Sequence, residues 1–264
     1  MTSKSRDPAG GASVEALAGA MAQAMAETHL AGRLRAVRQL IPGRLVFTTS
    51  FGLEDQAITH AIFTHGLGKD IEVVTLDTGR LFAETYELWA ETEERYGCRI
   101  RAFAPDTVSV EALVAGQGIN GFRHSVDARL ACCAVRKVEP LGRALAGAAG
   151  WVTGLRAEQS AGRAATPLAS YDGSRALIKV APLADWTRRE LETYINDNGI
   201  PYNVLHDRGF SSIGCAPCTR AVRLGEPERA GRWWWEQDGK SECGLHLSPE
   251  GVLVRGRATA GELA

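Results

Sequence analysis

The sequence predicts a doubly wound, mostly parallel α/β sheet followed by a C-terminal extension. Three observations carry that prediction. Short apolar, β-branched runs alternate with stretches of helical pattern, as in parallel βαβ units. The loop Ser50–Asp55 joins one such run to a helix. After Asn198 the long apolar runs give way to Arg, Gly and Cys.

In chain order, residues 1–12 are small and polar and are expected to be disordered. The Ala-rich stretch Val14–Leu40 reads as one or two amphipathic helices, ended by Pro42–Gly43. Arg44–Thr49 (RLVFTT) reads as a strand, and Ala57–Phe63 carries a helical apolar face. Ile71–Leu76 (IEVVTL) is a second strand, followed by a helix from Leu81 to Tyr96 that Gly97 closes. Further strands are expected at Arg99–Phe103, Trp151–Leu155 and Ala176–Val180. Thr187 and Glu190 form a capping box for a late helix, and Asn198-Gly199-Ile200-Pro201 stops it. The α/β domain thus spans 13–198, and 199–264 forms an extension with a mobile tail beyond Lys240.

The 30 Lys and Arg against 31 Asp and Glu leave a formal charge of −1, which argues against a nucleic-acid partner. No apolar run approaches the roughly 20 residues needed to cross a bilayer. The start, MTSKSRDPAGG, lacks the apolar core of a secretory signal, so a cytoplasmic location is expected. No exposed apolar stripe stands out, and association into a homo-oligomer is left open.

Ser50-Phe51-Gly52-Leu53-Glu54-Asp55 sits where open α/β sheets bind ligands, beyond the carboxyl end of a strand. A helix N-terminus there offers backbone N–H groups to an anion, Gly52 permits close approach, and Ser50 adds a hydroxyl donor. The loop has neither G-x-x-x-x-G-K-[ST] nor G-x-G-x-x-G. A strand–helix turn with an acidic cap explains it equally well. Asp77 and Arg80, at the end of the second strand, are placed to orient a ribose or a phosphate, although an ordinary turn accounts for them too.

The six cysteines point to metal or redox chemistry rather than to a disulfide framework. Cys132-Cys133 and Cys215-Ala216-Pro217-Cys218 supply four thiols, enough for a structural zinc or a 4Fe–4S cluster. Adjacent cysteines make a poor zinc knuckle, which favours the cluster; four buried small hydrophobes are the plainer alternative. Lys137, four residues after Cys133, falls one helical turn on, where a cation stabilises thiolates. Arg220, Arg223, Arg229 and Arg232 precede Trp233-Trp234-Trp235 and suit phosphate or sulfate groups, with an exposed basic loop as the alternative. Cys243, in Glu242-Cys243-Gly244-Leu245-His246, has no cysteine nearby and is a candidate nucleophile, with His246 and the arginines to lower its pKa.

Cys132-Cys133-x-x-Arg136-Lys137-x-x-Pro140-Leu141, Ser212-Ile213-Gly214-Cys215-Ala216-Pro217-Cys218-Thr219-Arg220 and Glu242–His246 together resemble the assimilatory adenylyl-sulfate reductases of bacteria and plants, a branch of the phosphoadenylyl-sulfate reductase family. The resemblance covers about residues 43–246. It includes a modified pyrophosphatase-type loop at Ser50–Asp55, where Phe51-Gly52-Leu53 departs from the Gly-rich loop of many relatives, and the segment W-V-T-G-L-R-A-E-Q-S. It implies an adenine-nucleotide alpha-hydrolase-like fold. It also implies that Ser50, Phe51, Gly52, Glu54, Asp55, Asp77, Arg156, Arg229 and Arg232 bind adenosine 5′-phosphosulfate. Cys243 would attack the sulfate sulfur, aided by His246 and Lys137, and expel AMP. Thioredoxin, or a glutaredoxin-like dithiol, would then release sulfite. Cys132, Cys133, Cys215 and Cys218 would hold one 4Fe–4S cluster that organises the site electrostatically. Rival readings are a reductase of the 3′-phosphorylated substrate, an adenylating enzyme, and a non-catalytic iron–sulfur sensor.

Overall fold

The computed structural model describes residues 8–26 and 29–236, with backbone alone for residues 8–15. Two helices open the chain, α1 (Pro8–Ala26) and α2 (Leu30–Leu40). The first begins six residues earlier than its apolar pattern predicts, so residues 8–12 of the expected disordered start are helical. Proline is well suited to a first helical position because the missing N–H has no partner there anyway.

Then come β1 (Arg44–Thr49), α3 (Leu53–Thr64), β2 (Ile71–Leu76), α4 (Ala83–Tyr96) and β3 (Arg101–Phe103). Three helices follow: α5 (Thr107–Gln117), α6 (Val126–Cys133) and α7 (Glu139–Ala144), with a π-turn at Ala134–Val138 between the last two. β4 (Ala148–Val152), β5 (Ala169–Asp172), β6 (Leu177–Val180) and α8 (Arg188–Asp197) complete the regular elements. The predicted capping box of α8 is present, with Thr187 Oγ1 accepting from the Glu190 N–H at 3.2 Å.

The six-stranded sheet has the order β3-β2-β1-β4-β6-β5, parallel except for β5, which pairs antiparallel with β6. β4 lies three residues earlier than expected. Its start, Ala148-Ala149-Gly150, carries little β-signal because the space above Gly150 belongs to Leu45 and Ile41; a Cβ there would sit 2.6 and 2.8 Å from their methyl carbons. β5 escaped prediction because ASYD is an edge strand without an apolar run.

Strand side chains are buried on both faces, as parallel sheets require. Leu45, Phe47, Val73, Val152 and Val180 pack against α1, α2, α3 and α8 on one face; Val46, Val74 and Trp151 pack against Leu141 and Leu145 at α7 on the other. Residues 199–236 are irregular and lie over the carboxyl edge of the sheet, tied down by contacts such as Gln56 Nε2 donating to Pro201 O at 2.8 Å. The strand order reverses between β1 and β4, and the chain leaves a crevice there.

Candidate active site

A cavity of about 200 Å³ fills that crevice. Its floor is the strand ends Thr48, Thr49, Thr75 and Thr153, its walls are the Ser50–Asp55 loop and Gly154, and its lid comes from Ser211–Cys215 and Glu228–Arg232. Of the residues predicted to meet a nucleotide, Ser50, Phe51, Gly52, Glu54, Asp55, Arg229 and Arg232 line it, and so does Lys137. Asp77 and Arg156 are not among the lining residues.

The loop is built differently from a glycine-rich turn. Gly52 has ordinary extended dihedrals as the N-cap of α3. The left-handed residue is Phe51, at φ 60°, buried and stacked on Trp89 with ring centroids 5.7 Å apart. A bulky residue adopts that conformation at a cost of order 1 kcal/mol, which the buried ring offsets. Asp55 Oδ2 accepts from both the Ser50 N–H (2.6 Å) and the Ser50 hydroxyl (2.7 Å), so a carboxylate already holds the donors that the sequence leaves open for an anion. Burial lifts the Asp55 carboxyl to about 7, with Glu54 adding to the rise and the Ser50 donors opposing it. Asp55 Oδ1 abuts Gly154: a Cβ there would lie 2.1 Å from it. Only glycine lets the ends of β1 and β4 approach this closely, and the W-V-T-G-L-R segment was the sequence's one trace of that contact.

Arg156 is fully buried and joins three segments. Its Nε donates to Glu54 (3.0 Å), Nη1 to Glu158 (2.8 Å) and Nη2 to Glu228 (2.9 Å). The guanidinium therefore clamps the β1 loop to the turn that carries Glu228 and Arg229. Asp77 accepts from the Gly79 N–H (2.9 Å) and the Tyr86 hydroxyl (2.7 Å), which fixes the turn after β2.

That turn is the hub of the cysteine region. Arg80 O accepts from the Ala216 N–H (2.8 Å), Thr78 Oγ1 lies 3.3 Å from Cys215 Sγ, and Thr78 O accepts from Arg136 Nη1 (2.7 Å). Cys132, Cys133, Cys215 and Cys218 all line one small second cavity with Arg80, Arg129, Arg136, Lys137 and Trp233. Lys137 and Cys215 line both cavities. The widened π-turn replaces the regular helix that a Cys133–Lys137 one-turn spacing presumes, and the ammonium acts on Cys215 and Cys218. Although burial opposes it, Lys137, the Thr78 hydroxyl and Arg232 hold the Cys215 thiol below its ordinary value. Burial and the neighbouring Cys215 push Cys218 up to about 12.

Among the described residues, no three His, Cys, Asp or Glu side chains converge to hold a single metal ion. Four thiols around one cavity, with the buried Arg136 Nε lacking an acceptor beside them, are a donor set that fits a larger anionic thiolate-bound cluster. No described cysteine is in a disulfide.

The Arg-Trp segment divides its labour. Arg220 is spent on Glu226 at 2.8 and 3.0 Å. Trp233 is buried with Arg129 and Arg232 over its ring at 4.6 and 4.7 Å, whereas Trp234 is 40% exposed. The Cys218–Thr219 strip pairs with this segment through the Thr219–Arg232 bridge, which ties the second cysteine pair to the cavity lid. Cys243 and His246 lie outside the described residues. Sequence reasoning passed over His206, which also lines the large cavity. No described helix is long and apolar enough to cross a membrane.

Comparison with known proteins agrees with this geometry. Residues 44–221 match the phosphoadenosine phosphosulfate reductase domain family. The chain is 58% identical over 224 residues to an adenosine 5′-phosphosulfate reductase of Agrobacterium fabrum, covering 85% of each. It is 52% identical over 202 residues to that of Allochromatium vinosum, covering 76% of this chain and 78% of the relative. A crystal structure of phosphoadenylyl-sulfate reductase from Candida auris, a phosphate complex, superposes with a TM-score of 0.66 at 27% identity, covering 84% of this chain and all of that one. With the sheet order, the switch-point cavity and these matches together, the chain belongs to the phosphoadenosine phosphosulfate reductase family.

Proposed function

We propose that this chain reduces adenosine 5′-phosphosulfate to sulfite and AMP in assimilatory sulfate reduction. Relatives that share about half or more of its residues over most of their length carry that name. The observation that carries the chemistry is the pair Lys137 and Cys215, shared between the nucleotide-sized cavity and the cysteine cavity. A phosphosulfate lying against Lys137, Arg229 and Arg232 meets the cations its charge needs.

In the proposed reaction the Cys243 thiolate attacks the sulfate sulfur, a new S–S bond forms, and the S–O bond to AMP breaks with its electron pair leaving on the phosphate. A dithiol such as thioredoxin then attacks the Cys243 sulfur. Sulfite departs with the S–S electron pair, and the second thiol of the reductant frees Cys243 as the reductant becomes a disulfide. Lys137, Arg229 and Arg232 screen the approach of one anion to another. Arg156 sets the positions of Glu54 and Glu228, and Asp77 sets the turn beneath Cys215. His246 sits three residues from the nucleophile and stabilises its thiolate. Cys132, Cys133, Cys215 and Cys218 would hold the 4Fe–4S cluster, which when bound supplies fixed charge beside the sulfate end of the cavity.

Intact-mass analysis of anaerobically purified protein, mixed with adenosine 5′-phosphosulfate and no dithiol, tests this. One sulfonate on Cys243 with AMP released is the expected result. The Candida auris neighbour favours one second reading, reduction of the 3′-phosphorylated substrate. An adduct formed only with that substrate would establish it, and no adduct with either would overturn both.

A further inference from the structure

Arg129 is buried in α6, three residues before Cys132, and it lines the cysteine cavity but is not among the residues lining the nucleotide cavity. Its Nε and Nη2 both donate to the Glu236 carboxylate, Nη2 at 3.1 Å, in a two-point grip that joins positions 107 apart. The Glu236 side chain is 9% exposed, so the pair is desolvated at both ends. A buried ion pair is weak evidence of stability, because two apolar residues of similar volume often serve as well. What it adds is geometric specificity, since a planar guanidinium fork fixes the orientation of the carboxylate it holds.

The grip holds a strained turn. Trp233 is buried and has a left-handed backbone at φ 47°, which a bulky residue keeps only where its surroundings impose it. Three contacts impose it here. The Trp233 N–H donates to Cys218 O at 3.2 Å, the Glu236 N–H donates to Trp233 O at 2.9 Å, and the Arg129 guanidinium lies over the indole at 4.6 Å. Arg232, the residue before it, shares the same ring at 4.7 Å. The Arg232 guanidinium crosses Gly214 so closely that a Cβ there would lie 2.2 Å from Nη2, and Nη1 donates to Ile213 O at 3.3 Å. Both Arg232 and Gly214 line the nucleotide cavity. An ordinary φ at Trp233 would redirect the chain entering it and swing Arg232 away from Gly214.

We infer that Arg129 is a positioning residue for the sulfate end of the substrate: by gripping Glu236 and the Trp233 ring it aims Arg232 into the nucleotide cavity without itself touching the ligand. This rests on the adenosine 5′-phosphosulfate reading and adds to it a residue outside the cavity.

The test is calorimetric binding of adenosine 5′-phosphosulfate and of AMP to the cluster-loaded chain carrying Cys243→Ser, which keeps the first ligand intact. The ratio of the two affinities reads the cations at the sulfate end. Arg232→Ala in that background is expected to narrow the ratio about tenfold, the scale of one charge-assisted contact. Arg129→Met and Glu236→Gln should each narrow it by a similar factor while AMP affinity and iron content stay unchanged, a pattern that general loss of structure does not produce. Arg129→Met combined with Glu236→Leu, which fills the space without the grip, should leave the ratio narrowed. Three results would overturn the inference and leave the reductase reading standing: a ratio restored in that double variant, equal weakening of both nucleotides, or a ratio unmoved by Arg129→Met and Glu236→Gln. A ratio that Arg232→Ala leaves unchanged overturns it as well. If Arg129→Met does not fold, Glu236→Gln and the double variant decide. Absence of binding by both nucleotides removes the adenosine 5′-phosphosulfate reading itself.

Discussion

Asp55 and Ser50 form a closed pair: one carboxylate oxygen receives both the backbone N–H and the hydroxyl of the serine, at 2.6 and 2.7 Å. The pair is buried at the first turn of α3, and the Asp55 carboxyl lies near 7 instead of its ordinary 3.8. Between those values the folded state holds a proton that the unfolded state has released, so stability falls as pH rises through the folded value. Thermal midpoints measured from about pH 5 to pH 8 should therefore decline, and Asp55→Asn should flatten that part of the profile. A profile unchanged by the substitution would separate Asp55 from the effect.

Gly154 faces the other oxygen of the same carboxylate, where a Cβ would lie 2.1 Å away. Asp55 has no freedom to retreat without releasing Ser50. Gly154→Ala is expected to destabilise the chain by roughly 1–3 kcal/mol in urea unfolding and to weaken AMP binding together with it.

Phe51 inverts a usual ranking. Its φ of 60° favours glycine over alanine, whereas both substitutions lose the same buried ring stacked on Trp89. Both should cost several kcal/mol, with Phe51→Ala the more damaging by about 1 kcal/mol. Paired chemical denaturation curves give the difference directly.

Arg156 neutralises Glu54, Glu158 and Glu228 from a fully buried position. Removing one partner of a buried ionic group leaves its carboxylates uncompensated. Arg156→Ala should cost about 3–5 kcal/mol, read from unfolding in urea. Retention of full stability would mean that water already shares those carboxylates.

Lys137 borders both cavities and acts on Cys215. Lys137→Ala should leave the iron content unchanged and slow sulfonate transfer to Cys243 about a hundredfold in single-turnover mass measurements, while AMP affinity changes far less. Removing iron with a chelator should slow transfer in wild type as well.

Much of this was legible in local sequence. β1 and β2 are continuous apolar runs, the α8 capping box is a four-residue pattern, and two cysteine pairs with Lys137 mark a shared region, because each depends on residues close in the chain. The residues that meet one another across the fold were not legible. Arg156 finds Glu54 and Glu228 at separations of 102 and 72 positions, and nothing in its own neighbourhood distinguishes a ligand-facing guanidinium from a clamp. The π-turn after Cys133 is a choice of hydrogen-bond register that no composition encodes, and it carries Lys137, which acts on Cys215 and Cys218 from across the fold. β5 is a polar edge strand that exists because β6 offers it a ladder.

The sequence by itself determined β1, β2, α4 and α8, the positions of the Ser50–Asp55 loop and of the thiols, and through its motifs the family. Tertiary structure alone decided that a carboxylate fills the loop's donors, that Gly154 is there for contact, and that Arg156 joins Glu54 to Glu228. The physical reason is range. Propensity, capping and periodicity act over a few residues, whereas burial, electrostatics and hydrogen-bond satisfaction at a site are set by groups that the sheet brings together from distant parts of the chain.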